Sequence, residues 1–241
     1  MRYLPSLIAA LFLFAVPSSL AQDAPSESVP VEPGQTFNGR FQEVTGGGTQ
    51  DVQRPSRSAE DTLLAFVDVE TTGLKPGHHE VVDIGLIYTD LAGNEIGRLY
   101  LKIMPDHPER ASPEARRING FNVKRWRRNS ALRKEAAVER ITDFHREHAG
   151  NCLTILVAFN SQFDAAFLDY LFRDVGRRWE DVYHYYVLDI PSMAWQKGTA
   201  VLSGSKLASR IGVPDEPGPG PDHTGMTGAE LNLRIYRKLQ K

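Results

Sequence analysis

The sequence predicts an α/β fold, a mixed sheet with an antiparallel meander first and parallel strands after it, flanked by helices. Between Thr62 and Ile103 three strand-like runs follow one another with only short turns between them. Such short links suit antiparallel neighbours, because parallel strands need long crossovers. Farther along, stretches with apolar residues at helical spacing alternate with short strand-like runs, the pattern of helices laid against a sheet. One of those runs, LTILVAF from Leu153 to Phe159, is apolar throughout, as in a strand covered on both faces.

The chain has 241 residues, 41% hydrophobic and 24% charged, enough apolar material for one domain of ordinary size plus tails. Residues 1–21 read as a signal peptide: Arg2 gives a positive start, Leu7 to Val16 an apolar core, and Ser19, Leu20 and Ala21 the cleavage region. The expected location is therefore periplasmic or secreted. A membrane anchor would need ~20 apolar residues, and Pro5 and Pro17 edge this shorter run, so no membrane association is expected after cleavage. Residues 22–61 are rich in Pro, Gly, Ser, Gln and acids. Too little apolar surface is available there to offset ordering entropy, so this segment reads as a flexible linker ahead of a domain at 62–241. The lone Cys152 precludes an internal disulfide and is expected to lie buried at a strand start.

Thr62 to Val69 reads as a central strand and Glu80 to Thr89 as a second, after a turn at Pro76 and Gly77. Asp90 to Asn94 then reverses the chain into a third strand, Glu95 to Ile103. A short helix is predicted over Ser112 to Asn119. A longer one follows over Ala131 to Ala149, where Ala137, Ile141, Phe144 and His148 share a face. His148 reads as a core-edge histidine and not a ligand. After the apolar run, Asn160 and Ser161 are suited to cap a helix that carries Phe163, Phe167, Tyr170 and Leu171 on one side. A strand at Tyr185 to Leu188 and helices at Pro191 to Trp195, Lys206 to Ile211 and Gly225 to Leu239 complete the prediction.

A net charge of −2 hides an uneven distribution, with nine basic residues against one acid between Arg110 and Lys134. Two readings stand: a solvated helix surface, or a phosphate-binding flank with Trp126 available to stack on a base.

The chemistry centres on FVDVETTGL from Phe66 to Leu74. Asp68 and Glu70 are two residues apart, so in a strand both project from one side. Paired carboxylates at the end of an apolar strand repel and lose hydration, a cost that a divalent cation offsets. Asp164 lies just inside the helix after the apolar strand, where strand ends face ligands, a place that also suits an acid favoured by the helix dipole. His223 follows the Gly- and Pro-rich stretch Pro217 to Pro221 and reads as a residue of a mobile loop.

In this order and context three blocks, FVDVETTGL from Phe66, VAFNSQFDAAFL from Val157 and HTGMTGAE from His223, resemble the DEDDh family of 3′ to 5′ exonucleases. That family has a ribonuclease H-like fold and includes polymerase proofreading subunits, oligoribonuclease and ribonuclease T. Weaker similarity at EVVDIGLI, SPEARRINGF and LDIPSMA extends the resemblance over Thr62 to Leu239. It implies a site of two Mg²⁺ or Mn²⁺ ions, with Asp68 bridging them, Glu70 and Asp164 each holding one, and His223 as the base, whose ordinary pKa of ~6.5 suits that task. It also implies that Thr71, Thr72, Gly73 and Leu74 meet the terminal nucleotide from one side, and Asn160 and Phe163 from the other. The implied partner is the 3′ end of single-stranded DNA or RNA.

The sequence departs from the family pattern at Gly228, where an Asp is expected five residues after the histidine. Asp222 and Glu230 are the local replacements, although on a regular helix Glu230 points about 200° away from position 228. The alternative is a module of the same fold that binds nucleic acid without turnover.

Overall fold

A computed structural model describes residues 61–241. The predicted signal peptide and the predicted linker, save Asp61, lie outside the described residues. Five strands, β1 (Thr62–Thr71), β2 (Val81–Thr89), β3 (Glu95–Lys102), β4 (Leu153–Ala158) and β5 (Val187–Asp189), form one sheet in the order β3-β2-β1-β4-β5. The first three are antiparallel; β4 runs parallel to β1, and β5 parallel to β4. The mixed sheet is thus the one predicted.

The alternation along β1 decides what lies on each face. Leu63, Ala65, Val67 and Val69 pack in one cluster with α3 (Lys134–His148) and α4 (Ser161–Asp174). Leu64 and Phe66 pack in another with α5 (Ile190–Gln196), α6 (Gly204–Ile211) and α7 (Gly225–Leu239). Asp68 and Glu70 continue the second series, so the apolar stripe under α7 ends in two acids. α7 can start this close to the sheet because Gly85 and Gly225 meet backbone to backbone: a Cβ on Gly225 would stand 2.5 Å from Asp68 O and 2.7 Å from Gly85 N.

Several boundaries differ from expectation. β1 runs on to Thr71, with a bulge between Glu70 and Thr71, which keeps Glu70 within the strand. After α1 (Pro113–Asn119) comes an unpredicted helix, α2 (Val123–Arg128), inside the basic run. Its anchor is Trp126, 1% exposed, whose Nε1 donates to Val82 O at 2.6 Å. Trp126 therefore belongs to the core and is not available to stack on a base. β5 is three residues long and starts at Val187, leaving Tyr185 and Tyr186 exposed.

Asn160 occupies the N-cap position of α4, but its side chain makes no capping bond and its φ is 65°. Asp189 does that work instead, accepting from the backbone N–H of both Ser161 and Ser192, each at 3.1 Å. Cys152 is half-buried. His148 is half-buried at the core edge, its Nδ1 3.0 Å from Phe144 O. Among the described residues no helix is long and apolar enough to cross a membrane.

Candidate active site

The site begins where the β1–β4 ladder stops. Their pairing ends at Phe66 and Val157, so the next backbone groups on that edge of β1 need other partners. Asn232 of α7 donates to Val67 O at 2.9 Å, and Asp164 of α4 accepts from Val69 N at 3.0 Å. Two helices are thereby fastened on either side of Asp68, and the carboxyl of Asp164 is brought to the strand carrying Asp68 and Glu70.

The acids disturb one another. Burial pushes the carboxyl of Asp68 well above its ordinary range, and Asp164, Glu70, Glu216 and Asp83 add to the effect. Asp68 accepts no hydrogen bond from any described side chain or backbone group in the structure. Burial also raises Glu70 to about 7, against the pull of His223, and raises Asp164 despite the Val69 N–H. A buried all-oxygen set of acids fits a hard divalent ion. In their present positions, no three His, Cys, Asp or Glu side chains among the described residues form a group able to hold a metal.

His223 stands over Glu70, its Nε2 3.2 Å from Glu70 Oε1. Its Nδ1 is 2.9 Å from Pro217 O; a carbonyl only accepts, so Nδ1 carries a hydrogen and Nε2 is the nitrogen left to take a proton. The loop predicted to be mobile is tied down. Gly220 N donates to Ile118 O at 2.7 Å, Arg125 to Pro221 O at 2.6 Å and Arg234 to Pro214 O at 3.2 Å.

The remaining predicted residues divide. The hydroxyl of Thr71 donates to Gly73 O at 2.6 Å and that of Thr72 accepts from Glu80 N at 2.9 Å, so both are committed within the turn. Gly73 lies against the His79 ring, where a side chain would collide. Leu74 is 80% exposed, an apolar side chain free to meet a ligand. Phe163 is half-buried, its ring 4.8 Å from that of Phe167, and Asn160 Oδ1 accepts from Gln162 at 3.2 Å. Neither local replacement for the missing acid is in place: Glu230 pairs with Arg98 at 2.7 Å, and Asp222 is exposed.

Sequence reasoning passed over four residues. Asn232 is one. Asn119 is buried and donates to Thr71 O at 2.9 Å. Asp83, 1% exposed, accepts from Gly225 N at 3.0 Å and from Lys102 at 2.8 Å, holding the start of α7. An acid inside the apolar run EVVDIGLI was a legible signal for it. Glu216, whose Oε2 is 3.6 Å from His223 Nδ1, had none.

Residues 65–236 match the exonuclease family represented by RNase T; the chain belongs to that family. The DNA polymerase III subunit epsilon of Treponema pallidum (strain Nichols) is 33% identical over 110 residues, 46% of either chain. The chain thus spans about half the length of this curated relative. Escherichia coli exonuclease I in complex with a dT13 oligonucleotide superposes with a TM-score of 0.62 at 16% identity, over 75% of this chain and 41% of that one. The nuclease domain of 3′hExo, a DEDDh family member bound to rAMP, gives 0.61 at 15% identity, over 74% and 92%. The DEDDh resemblance and the ribonuclease H-like sheet are the ones these relatives display.

Proposed function

We infer that the domain hydrolyses phosphodiester bonds at the 3′ ends of single-stranded DNA or RNA, one nucleotide at a time, with Mg²⁺ or Mn²⁺. The observation that carries this reading is the meeting of Asp68, Glu70 and Asp164 at one strand end with the ring of His223 on Glu70. The three carboxylates would hold two ions, which when bound stabilise charge on the attacking and leaving oxygens. Nε2 of His223 takes the proton of the attacking water. Leu74 packs on the terminal base, and Asn160 and Phe163 line the opposite side. The outer face of α2 offers Lys124, Arg127 and Arg128 to backbone phosphates, each exposed and none in an ion pair among the described residues.

A 5′-labelled oligonucleotide tests the reading. Stepwise shortening that needs Mg²⁺ or Mn²⁺ and disappears in Asp68→Ala supports it; no shortening with either metal rejects it. The rival, binding without turnover, draws on Gly228 at the place of the family's last acid, and predicts oligonucleotide retention with no product. The predicted leader adds a further proposal. An exported enzyme would degrade foreign or scavenged nucleic acid, and a protein retained in the cytoplasm with Met1 intact would refute that role.

A further inference from the structure

Glu216 lies in a Pro- and Gly-rich segment, where a carboxylate would ordinarily stand in solvent. Its side chain is only 19% exposed, with Oε2 3.6 Å from His223 Nδ1. Glu70 faces the other nitrogen at 3.2 Å, so the imidazole has a carboxylate at each end. The two acids are not equivalent. Glu70 belongs to the candidate ion ligands, and charge engaged by a cation is largely spent for an imidazolium. Glu216 makes no hydrogen bond to those ligands, although its charge reaches Asp68 and Glu70. Its segment is held firmly, through Pro214 O by Arg234 and through Pro217 O by His223 itself. Burial raises the pKa of Glu216, and the main opposing influence is His223.

We propose that Glu216 is a positioning residue for His223: standing 3.6 Å from Nδ1 beside the Pro217 carbonyl, it holds the ring so that Nε2 faces the reacting water and takes its proton. In that step one O–H bond of water breaks, one N–H bond forms at Nε2, and the electron pair stays on the attacking oxygen. This rests on the hydrolytic reading above.

The test compares Glu216→Gln and Glu216→Asp in the full chain, with Mn²⁺ and a 5′-labelled oligonucleotide. Glu216→Gln is expected to lower kcat about 10- to 100-fold, with KM and Mn²⁺ affinity by calorimetry within about twofold of the parent. Glu216→Asp, which keeps the charge, should retain more activity than Gln. In the metal-free protein, ¹⁵N spectra should show His223 protonated at Nδ1, with that signal moved in Glu216→Gln. The proposal is overturned by a kcat within about twofold of the parent, by equal losses in Asp and Gln, or by a roughly tenfold loss of Mn²⁺ affinity, which would make Glu216 an ion ligand. If the parent protein cleaves nothing, the hydrolytic reading has failed separately. The ¹⁵N signal then decides, and an unmoved Nδ1 resonance overturns the positioning role.

Discussion

The backbone of Gly228 lies directly against the carboxylate of Asp68: a Cβ at residue 228 would overlap Asp68 Cγ and Oδ2 and stand 2.9 Å from Asp68 Cβ. The volume next to the missing acid is therefore occupied by the first acid of the site. Replacing a helical Gly by Ala ordinarily gains ~1 kcal/mol, whereas forced overpacking costs ~1–3 kcal/mol. Here the overlap reaches the root of a short side chain, so packing wins. Gly228→Ala should lower stability by about 1 kcal/mol in a denaturant titration and weaken Mn²⁺ binding. Gly228→Asp adds a further carboxylate to the same crowding and should not raise the rate. A faster Gly228→Asp enzyme would sink this account.

The three acids make stability depend on pH in a definite direction. Glu70 titrates near 7 in the folded protein against an ordinary 4.5, and Asp68 and Asp164 are raised as well. A carboxyl with a raised folded pKa stabilises fully below its unfolded value, and that contribution is lost as pH climbs through the folded one. For Glu70 the loss falls between about pH 4.5 and pH 7 and is on the order of 3 kcal/mol. Chelator-treated protein should therefore melt at a lower temperature at about pH 7.5 than at about pH 5. Added Mn²⁺ should restore the difference, since a ligand of the folded state stabilises it. A melting temperature that is flat over this range contradicts the burial of these carboxyls as the source of their raised pKa values.

On α2, Lys124, Arg127 and Arg128 point outward while Trp126 is buried. Each phosphate contact on a single strand contributes roughly 0.7 to the slope of log affinity against log salt. Replacing all three cations with Ala should then reduce the slope by up to about 2, raising KM and leaving kcat unchanged. An unchanged slope would return the helix to a solvated surface.

How legible these features were depended on whether a local pattern announced them. β1 announced itself, because apolar residues at Leu64 and Phe66 continue into Asp68 and Glu70 with the same two-residue period. α2 did not: six residues rich in Lys and Arg carry no apolar stripe, and its place is set by Trp126 reaching a carbonyl on β2. β5 was misplaced by its neighbours, since Tyr185 and Tyr186 look like strand residues and yet stand exposed at the sheet edge. Asn119 and Asn232 each donate to a backbone carbonyl far away in sequence. No periodicity records such bonds.

Asp164 separates two jobs that one side chain performs. Its Oδ1 takes the Val69 N–H that the β1–β4 ladder leaves free, which is a structural task, and its charge adds to the field at Asp68, which is the task an ion would exploit. Asn keeps an oxygen acceptor without the charge, whereas Ala keeps neither. A buried N–H left without a partner costs ~1–3 kcal/mol, and removing the buried charge relieves repulsion. Asp164→Asn should therefore be at least as stable as the parent without metal, while losing Mn²⁺ affinity and cleavage. Asp164→Ala should lose stability as well, by about 1–3 kcal/mol. Denaturant titration and Mn²⁺ calorimetry on the two variants separate the roles: equal stability in Asn and Ala would remove the structural one, and full Mn²⁺ affinity in Asn would remove the other.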